Sequence, residues 1–170
     1  MSSAGGDAGV RVRPAVPADV EQIFAFIVEL ADYERAPDQV TGTPRLLADA
    51  LFGQKPCAEA LIAEIDGAAV GLALFHGTFS TWECRPGIWL EDLYIRPAHR
   101  RSGVGWALLA QVAALTVNRG CRRLEWCALD WNTPALDFYE RVGAERLSDW
   151  ELHRLSGDAL ERVAAGQAPG

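Results

Sequence analysis

The hydrophobic positions near the start of the chain follow a helical period. They fall three or four residues apart on one face and are Val20, Ile23, Phe24, Ile27 and Ala31. Pro17 and Asp19 favour a helix start, and Pro37 favours a helix end just before it. The pattern therefore predicts an amphipathic helix over residues 17–35, preceded by a first strand over residues 10–15.

Shorter apolar runs follow this helix. A second, short helix is predicted from Pro44 to residue 52, and two strands are predicted over residues 57–65 and 68–75. The Asp66-Gly67 pair between the two strands is a strong hairpin signal. Gly71, inside the second strand, indicates a bulge or a close backbone contact.

The central stretch, residues 90–105, predicts a buried strand, a basic loop and the start of a helix. Turn-forming residues over 76–87 make the approach to it the least regular segment. Pro97 ends the strand, because proline cannot donate a ladder hydrogen bond. Gly120 fits the end of the helix. The buried face of that helix is predicted to hold Val104, Ala107, Leu108, Val112 and Leu115.

The last third of the chain continues the alternation of strands and helices. The predicted elements are a strand over residues 122–129, a helix from the Asn132 cap to Gly143, a last strand over 145–155 and a short helix over 158–165. The sequence has no internal repeat and no linker. We therefore expect one α/β domain over residues 10–165, after a flexible tail of residues 1–9.

Composition limits the class of protein. The chain has 170 residues, 49% of them hydrophobic, which is enough for one domain with a good core. Sixteen basic residues against 23 acidic ones give a formal charge of −7, which argues against a nucleic-acid partner. No apolar run is long enough to span a bilayer, and the first residues lack the pattern of a secretory signal. We therefore expect a cytoplasmic protein without a membrane partner.

The chain contains four cysteines: Cys57, Cys84, Cys121 and Cys127. None forms a C-x-x-C pair, and no histidine cluster accompanies them, so we expect no metal site. In a cytoplasmic chain they are expected to be reduced and mostly buried.

The loop after the central strand has the spacing Arg100-x-x-Gly103-x-Gly105. Glycines let a ligand approach the backbone, and the free N–H groups of the next helix suit an anionic phosphate, as do Arg100 and Arg101. A Walker loop needs a lysine followed by Ser or Thr, and a dinucleotide fingerprint needs a third glycine where Leu108 stands. From spacing alone, a turn that merely begins a helix is an equally good interpretation.

Arg-x-x-Gly-x-Gly after an apolar strand resembles the acetyl-CoA pyrophosphate loop of the GNAT acyltransferase superfamily. The stretch NTPALDFYERVGA, residues 132–144, resembles the second signature of that superfamily, N-x-x-A-x-x-x-Y-x-x-x-G-F/A. The two signatures stand in the family order, and together they are more specific than either alone. The resemblance implies a GNAT-like α/β fold, with a mixed, mostly antiparallel central sheet flanked by helices in the order β-α-α-β-β-β-α-β-α-β.

The resemblance also implies acetyl-CoA as the cosubstrate. The family places the tyrosine of the second signature beside the CoA sulfur, so Tyr139 is the candidate general acid for the leaving thiolate. Without the resemblance, Tyr139 is better explained as a core residue of an amphipathic helix, and Asn132 serves equally well as a helix cap. The residues implied in cofactor binding are Leu93, Tyr94, Ile95, Arg100, Arg101, Ser102, Gly103, Val104, Gly105, Trp106, Asn132, Pro134, Ala135 and Tyr139.

Glu91 and Asp92 are adjacent carboxylates in an otherwise apolar strand. Because side chains alternate along a strand, we expect them to face opposite sides of the sheet, with one functional and the other structural. Acetylation of an amine requires that a cation be bound and a proton removed. Glu91 is the candidate for both tasks, and a strand-end glutamate paired with an arginine is the alternative.

The wider chain resembles the diamine (spermidine/spermine) acetyltransferases and their thialysine-acetylating relatives. The likeness covers residues 12–155 and is carried by LADYE, FSTW, LEDL and WNTPA. That family binds polyamines through acidic residues between two subunits, which implies a homodimer. His153 at an aromatic position, and Arg85 near the amine site, leave polyamine specificity open. The implied substrate residues are Tyr33, Glu34, Glu83, Glu91 and Glu151.

The sequence therefore predicts an enzyme, an acetyl-CoA-dependent N-acetyltransferase that acts by direct transfer on a small primary amine. The acceptor is a polyamine, a diamine or a thialysine-like amino compound. The alternatives are an acetyltransferase for a protein terminus or an aminoglycoside-like amine, and a non-catalytic acyl-CoA-binding sensor. Tyr139 and Glu91 argue against the sensor.

Overall fold

The computed structural model describes residues 9–167, so the predicted tail lies outside the described residues except for its last position. The chain divides into two compact units, with the boundary between Cys127 and Ala128. We call the first the sheet unit and the second the C-terminal unit.

The sheet unit holds a five-stranded sheet in the order β1-β2-β3-β4-β5. The first four strands pair antiparallel, and β5 pairs parallel to β4, so the sheet is mixed and mostly antiparallel as predicted. Short 3-10 turns over Pro17–Asp19, Pro37–Gln39 and Pro97–His99 join some of the elements. The strands and helices are β1 (Arg11–Pro14), α1 (Val20–Tyr33), α2 (Pro44–Phe52), β2 (Glu59–Ile65), β3 (Ala68–Ser80), β4 (Arg85–Ile95), α3 (Val104–Asn118) and β5 (Leu124–Glu125).

Helices α1 and α2 cover one face of the sheet, which we call the first face. Ile23 and Phe26 of α1 are fully buried there against Leu72 of β3 and Tyr94 of β4. Burial of each such side chain stabilises the fold by roughly 1.5–3 kcal/mol. The helical spacing of the apolar residues thus predicted the face of α1 that packs on the sheet.

Helix α3 packs on the opposite face, which we call the second face. A Cβ on Gly71 of β3 would lie 3.1 Å from Val104 Cγ1 and 3.2 Å from Leu108 Cδ1 of α3. The prediction of a close contact at Gly71 is therefore confirmed, because only a glycine lets the strand and helix approach this closely.

The hairpin between β2 and β3 has its turn at Asp66 and Gly67, both in the left-handed region with φ of 52° and 78°. Two such residues are typical of the tight turn predicted there. The segment 76–87 is more regular than expected, because β3 continues to Ser80 and pairs with the start of β4. The turn itself covers only residues 81–84, and Gly77, Pro86 and Gly87 lie in the paired strands.

The C-terminal unit contains α4 (Thr133–Arg141) and α5 (Gly157–Ala164), close to the predicted bounds. The predicted last strand over residues 145–155 is wrong. Local hydrogen bonds from Ser148 N to Arg146 O and from Trp150 N to Leu147 O turn the backbone there. Such turns compete with a strand ladder, so the final strand of the expected order is missing from the described chain.

All four cysteines are free thiols, and Cys57, Cys84 and Cys127 are exposed, so the prediction that most are buried is wrong. These three lie just before β2, in the β3–β4 turn and just after β5, outside the packed strands. Among residues 9–167, no helix combines the length and apolar character needed to cross a membrane.

Candidate active site

Strand β4 carries a bulge at Glu91. Leu90 pairs with Phe75 of β3, whereas Asp92 pairs with Leu74, so Glu91 is the extra residue between them. Leu74 belongs to the core under α1 and α2, and residues directly opposite each other in a sheet share a face. The side chain of Asp92 therefore lies on the first face of the sheet.

Glu91 faces the same side. Its Oε2 accepts a hydrogen bond of 2.9 Å from Trp89 Nε1 and lies 3.8 Å from His76 Nε2. His76 pairs with Trp89 across the strands and stands two residues beyond Leu74, so both belong to the first face. The prediction that Glu91 and Asp92 face opposite sides is therefore wrong, because the bulge inserts one residue and interrupts the alternation.

A third carboxylate completes this group. Glu34 caps the C-terminal end of α1, and burial raises its pKa above the ordinary value. Burial, followed by the nearby charges of Glu91 and Glu34, raises the pKa of Asp92 to about 6. We call Glu34, Glu91 and Asp92 the carboxylate cluster. Sequence reasoning assigned no function to Asp92, although its position beside Glu91 was the available signal.

The glycine loop connects the end of β4 to α3. Arg101 and Gly103 both have left-handed φ, of 65° and 84°, and Gly103 is the residue immediately before α3. The Ser102 hydroxyl donates a 2.6 Å hydrogen bond to the backbone oxygen of His99. The first backbone N–H groups of α3 have no acceptor within the helix, so this end of the loop suits an anion.

Arg100 joins the loop to the end of α1. Its Nε donates a 3.1 Å hydrogen bond to Ile95 O, and its guanidinium carbon lies 4.5 Å from the centre of the Tyr33 ring. Tyr33 is the last residue of α1 and precedes Glu34. The structure therefore brings Tyr33, Glu34, Glu91 and the glycine loop to one end of β4.

The remaining predicted cofactor residues of the sheet unit differ in what their side chains contact. The Tyr94 hydroxyl donates to Glu29 Oε2 at 2.9 Å, and burial with this neighbour raises the pKa of Tyr94 to about 12. Val104 is buried, whereas Trp106 is 59% exposed. Leu93 pairs with β3 on the second face, so the side chains of this strand end alternate between the two faces.

Glu83 lies apart from the carboxylate cluster. It stands exposed in the β3–β4 turn, beside an open cavity of about 780 Å³ that Arg85 and Arg122 also line. Arg85 begins β4 and Glu91 is six residues further along, a separation on the order of 20 Å for an extended strand. Within one chain, Glu83 therefore does not join the other proposed substrate residues.

The C-terminal unit carries the second signature. Asn132 occupies the cap position of α4, but its side chain makes no capping hydrogen bond; Pro134 and Ala135 lie in the first turn. The Tyr139 ring lies 5.4 Å from that of Phe138. Glu151 is exposed, and its Oε2 lies 4.0 Å from Nε2 of His153.

Within the described range of the chain, no group of three or more histidine, cysteine or acidic side chains is arranged to hold a metal ion.

Comparison with known proteins assigns the class. The Acetyltransferase (GNAT) family profile matches residues 24–144, so the chain belongs to the GNAT acetyltransferase family. Among individual relatives, the thialysine N-epsilon-acetyltransferase of Bos taurus is 36% identical over 166 residues, covering 91% of this chain and 97% of that protein. The L-ornithine N5-acetyltransferase of Arabidopsis thaliana is 29% identical over 198 residues, covering 90% of this chain and 87% of that protein.

Comparison with solved structures finds proteins of similar fold. An integron cassette protein from the mobile metagenome of V. cholerae superposes with a TM-score of 0.76 at 23% identity, covering 91% of this chain and 97% of that one. The predicted GNAT-like fold and the prediction of an N-acetyltransferase enzyme are both confirmed.

Proposed function

We propose that this protein transfers the acetyl group of acetyl-CoA directly to a primary amine of a small molecule, with both substrates bound together. The observation that carries the proposal is the arrangement at the end of β4. One strand presents Glu91 and Asp92 and then leads into the glycine loop before α3. A site for a cation therefore adjoins a site for an anion on one rigid element.

The donor set at the loop suits the pyrophosphate of acetyl-CoA. The left-handed Gly103 exposes the first backbone N–H groups of α3. Among the described residues, its two chain neighbours apart, no atom lies within 4 Å of the place where its Cβ would stand. Arg100 and Arg101 add positive charge. The other residues proposed to bind the cosubstrate are Leu93, Tyr94, Ile95, Ser102, Val104, Gly105, Trp106, Asn132, Pro134, Ala135 and Tyr139.

The carboxylate cluster supports binding and deprotonation of the amine. A free alkyl amine is mostly protonated at neutral pH, so it enters as a cation and must lose a proton before it can attack the thioester. Glu91 is proposed to remove that proton, since it is the exposed member of the cluster. Tyr139 is proposed to donate a proton to the leaving thiolate, because a phenol stays protonated at neutral pH.

The relatives favour an acceptor of the amino-acid type. Thialysine and ornithine, named in the two relatives, both carry a primary amine on a side chain, and this agrees with the thialysine-like acceptor predicted from sequence. Tyr33 and Glu34 are proposed to orient this acceptor beside Glu91. Glu83 and Glu151 are proposed to join them in a homodimer, each from the subunit that can reach the site.

The direct test is a thiol-release assay with acetyl-CoA against thialysine, ornithine, lysine, putrescine, spermidine, an aminoglycoside and a peptide. We expect turnover with thialysine or ornithine well above the background hydrolysis of acetyl-CoA. Turnover with only the aminoglycoside or only the peptide would show that the acceptor belongs to that class and not to the small amino compounds proposed here. Tight acetyl-CoA binding without turnover on any amine would indicate a sensor.

Tyr139→Phe tests the proposed general acid. The substitution keeps the ring beside Phe138 but removes the phenol O–H, the group of this side chain that can donate a proton. We expect kcat to fall by about 10²-fold or more, within the usual range for general acid catalysis, while acetyl-CoA still binds by calorimetry. A kcat within twofold of the wild-type value would remove Tyr139 from this role.

A further inference from the structure

Two aromatic side chains hold the carboxylate of Glu91, and neither has a role in the function proposed above. Trp89 Nε1 donates to Glu91 Oε2 at 2.9 Å, and His76 Nε2 lies 3.8 Å from the same oxygen. Trp89 and His76 stand directly opposite each other on β4 and β3, immediately before the bulge. Both contacts are made to Oε2, so neither occupies Oε1.

Both ring nitrogens of the His76 imidazole lie near oxygen acceptors. His76 Nδ1 lies 3.2 Å from the backbone oxygen of Gly77, and a carbonyl oxygen can only accept, so this contact is a hydrogen bond in the tautomer that carries the proton on Nδ1. Nε2 faces a carboxylate, and this is attractive only when Nε2 also carries a proton. The imidazole of His76 therefore lies between two oxygen acceptors, one of them on Glu91.

We propose that Trp89 and His76 are positioning residues that fix Oε2 of Glu91 and leave Oε1 to take the proton of the substrate ammonium. The inference rests on the proposed function. In the step, an N–H bond of the ammonium breaks, an O–H bond forms at Oε1, and the electron pair stays on nitrogen to attack the thioester. Asp92 on β4 and Glu34 at the end of α1 are further acidic groups of the carboxylate cluster.

Trp89→Phe removes the indole N–H and keeps an aromatic ring. A hydrogen bond to a charged group is strong enough that we expect kcat to fall about tenfold, with KM for acetyl-CoA unchanged. In a Glu91→Gln background the same substitution has no further effect, because Trp89 acts through that carboxylate. Additive losses, or an unchanged kcat in Trp89→Phe, would overturn the proposal.

His76 is tested by a pair of variants. Gln can place an amide N–H near the position of Nε2, whereas Phe fills the space without a donor. We expect His76→Gln to keep a kcat several-fold above that of His76→Phe, at equal thermal stability. Equal kcat values for the two variants would exclude a positioning role for the imidazole.

A spectroscopic measurement separates this inference from the proposed function. The indole N–H of Trp89 gives one resonance in a ¹H–¹⁵N spectrum, which its absence from Trp89→Phe identifies. We expect this resonance to move upfield in Glu91→Gln, since the amide is a weaker acceptor than the carboxylate. If none of the amines is acetylated in the thiol-release assay, the proposed function is refuted. The resonance of Trp89 would still test the contact with Glu91 in that case. A resonance that does not move would refute the contact.

Discussion

At the scale of single residues, Asp92 links the stability of the fold to pH. Burial, with Glu91 and Glu34 nearby, raises its pKa from 3.8 to about 6, so between these values the folded state holds a proton that the unfolded state has released. Stability therefore falls as the pH rises from about 4 to about 6 and then levels off.

Asp92→Asn removes the loss of stability that comes from ionising this buried carboxyl group. We expect the variant to be more stable than the wild type at pH 7.5, by no more than about 3 kcal/mol, and to match it near pH 4. Urea unfolding at the two pH values measures the difference. Asp38→Asn, at an exposed position, is the matched control and should follow the wild type at both. An Asp92→Asn variant that is less stable at pH 7.5 would contradict the assigned burial cost.

The same proton is expected to affect the proposed binding of the amine. Below pH 6 Asp92 is protonated and attracts a cation weakly, and above that value its charge favours the ammonium. We expect the affinity for the accepted amine to rise between pH 5 and pH 7.5, while the amine itself stays protonated. Calorimetry across this range measures it, and Asp92→Asn should flatten the rise. An unchanged slope in that variant would assign the titration to another member of the cluster.

At the scale of elements, the glycine loop can be tested against the other end of the same helix. Gly103 and Gly120 flank α3, both with left-handed φ, of 84° and 69°, and with open space where a Cβ would stand. Alanine at either position costs about 1–2 kcal/mol of backbone strain. Only at Gly103 would the added methyl also stand in front of the N–H groups proposed to bind the pyrophosphate.

We therefore expect Gly103→Ala and Gly120→Ala to lose similar stability, while only Gly103→Ala weakens acetyl-CoA binding, by about tenfold, or 1.4 kcal/mol. Calorimetry with acetyl-CoA and thermal unfolding measure the two effects separately. Equal affinities in the two variants would mean that the loop is a structural turn.

The elements that the sequence predicted well are those fixed by local chemistry. Helix α2 has its predicted bounds because Thr43 accepts a hydrogen bond from Leu46 N and Pro44 opens the first turn. The Asp66-Gly67 hairpin was likewise predicted from the residues of the turn itself. The prediction of a strand over residues 145–155 was wrong because the apolar residues there do not alternate strictly and the Ser148-Asp149 pair favours a turn.

The site was predictable in its parts and not in its arrangement. The glycine loop and Glu91 were found from motif and chemistry, but the bulge that turns Glu91 and Asp92 to one face depends on which residue of β3 lies opposite each of them. That register is a property of two strands and cannot be read from one. The contacts of Trp89 and His76 with Glu91 follow from the same register.

At the scale of the whole molecule, the position of Glu83 bears on the number of subunits. Six strand residues, on the order of 20 Å, separate the start of β4 from Glu91, and Glu83 lies beyond that start. If Glu83 takes part in substrate binding, it must therefore reach the carboxylate cluster of a second copy. A two-fold axis would build two such sites, each with Glu83 from one subunit and Glu91 from the other.

This arrangement predicts that two inactive variants restore each other. Glu83→Gln and Glu91→Gln should each lower turnover alone, and the homodimer should be measurable by light scattering. Co-expressed in equal amounts, half of the dimers would be mixed and each would hold one intact site, so activity should return to about a quarter of the wild-type value. A monomer in solution, or mixed dimers without recovered activity, would exclude the shared site. A fully active Glu83→Gln variant would instead remove Glu83 from substrate binding and leave the carboxylate cluster to act within one chain.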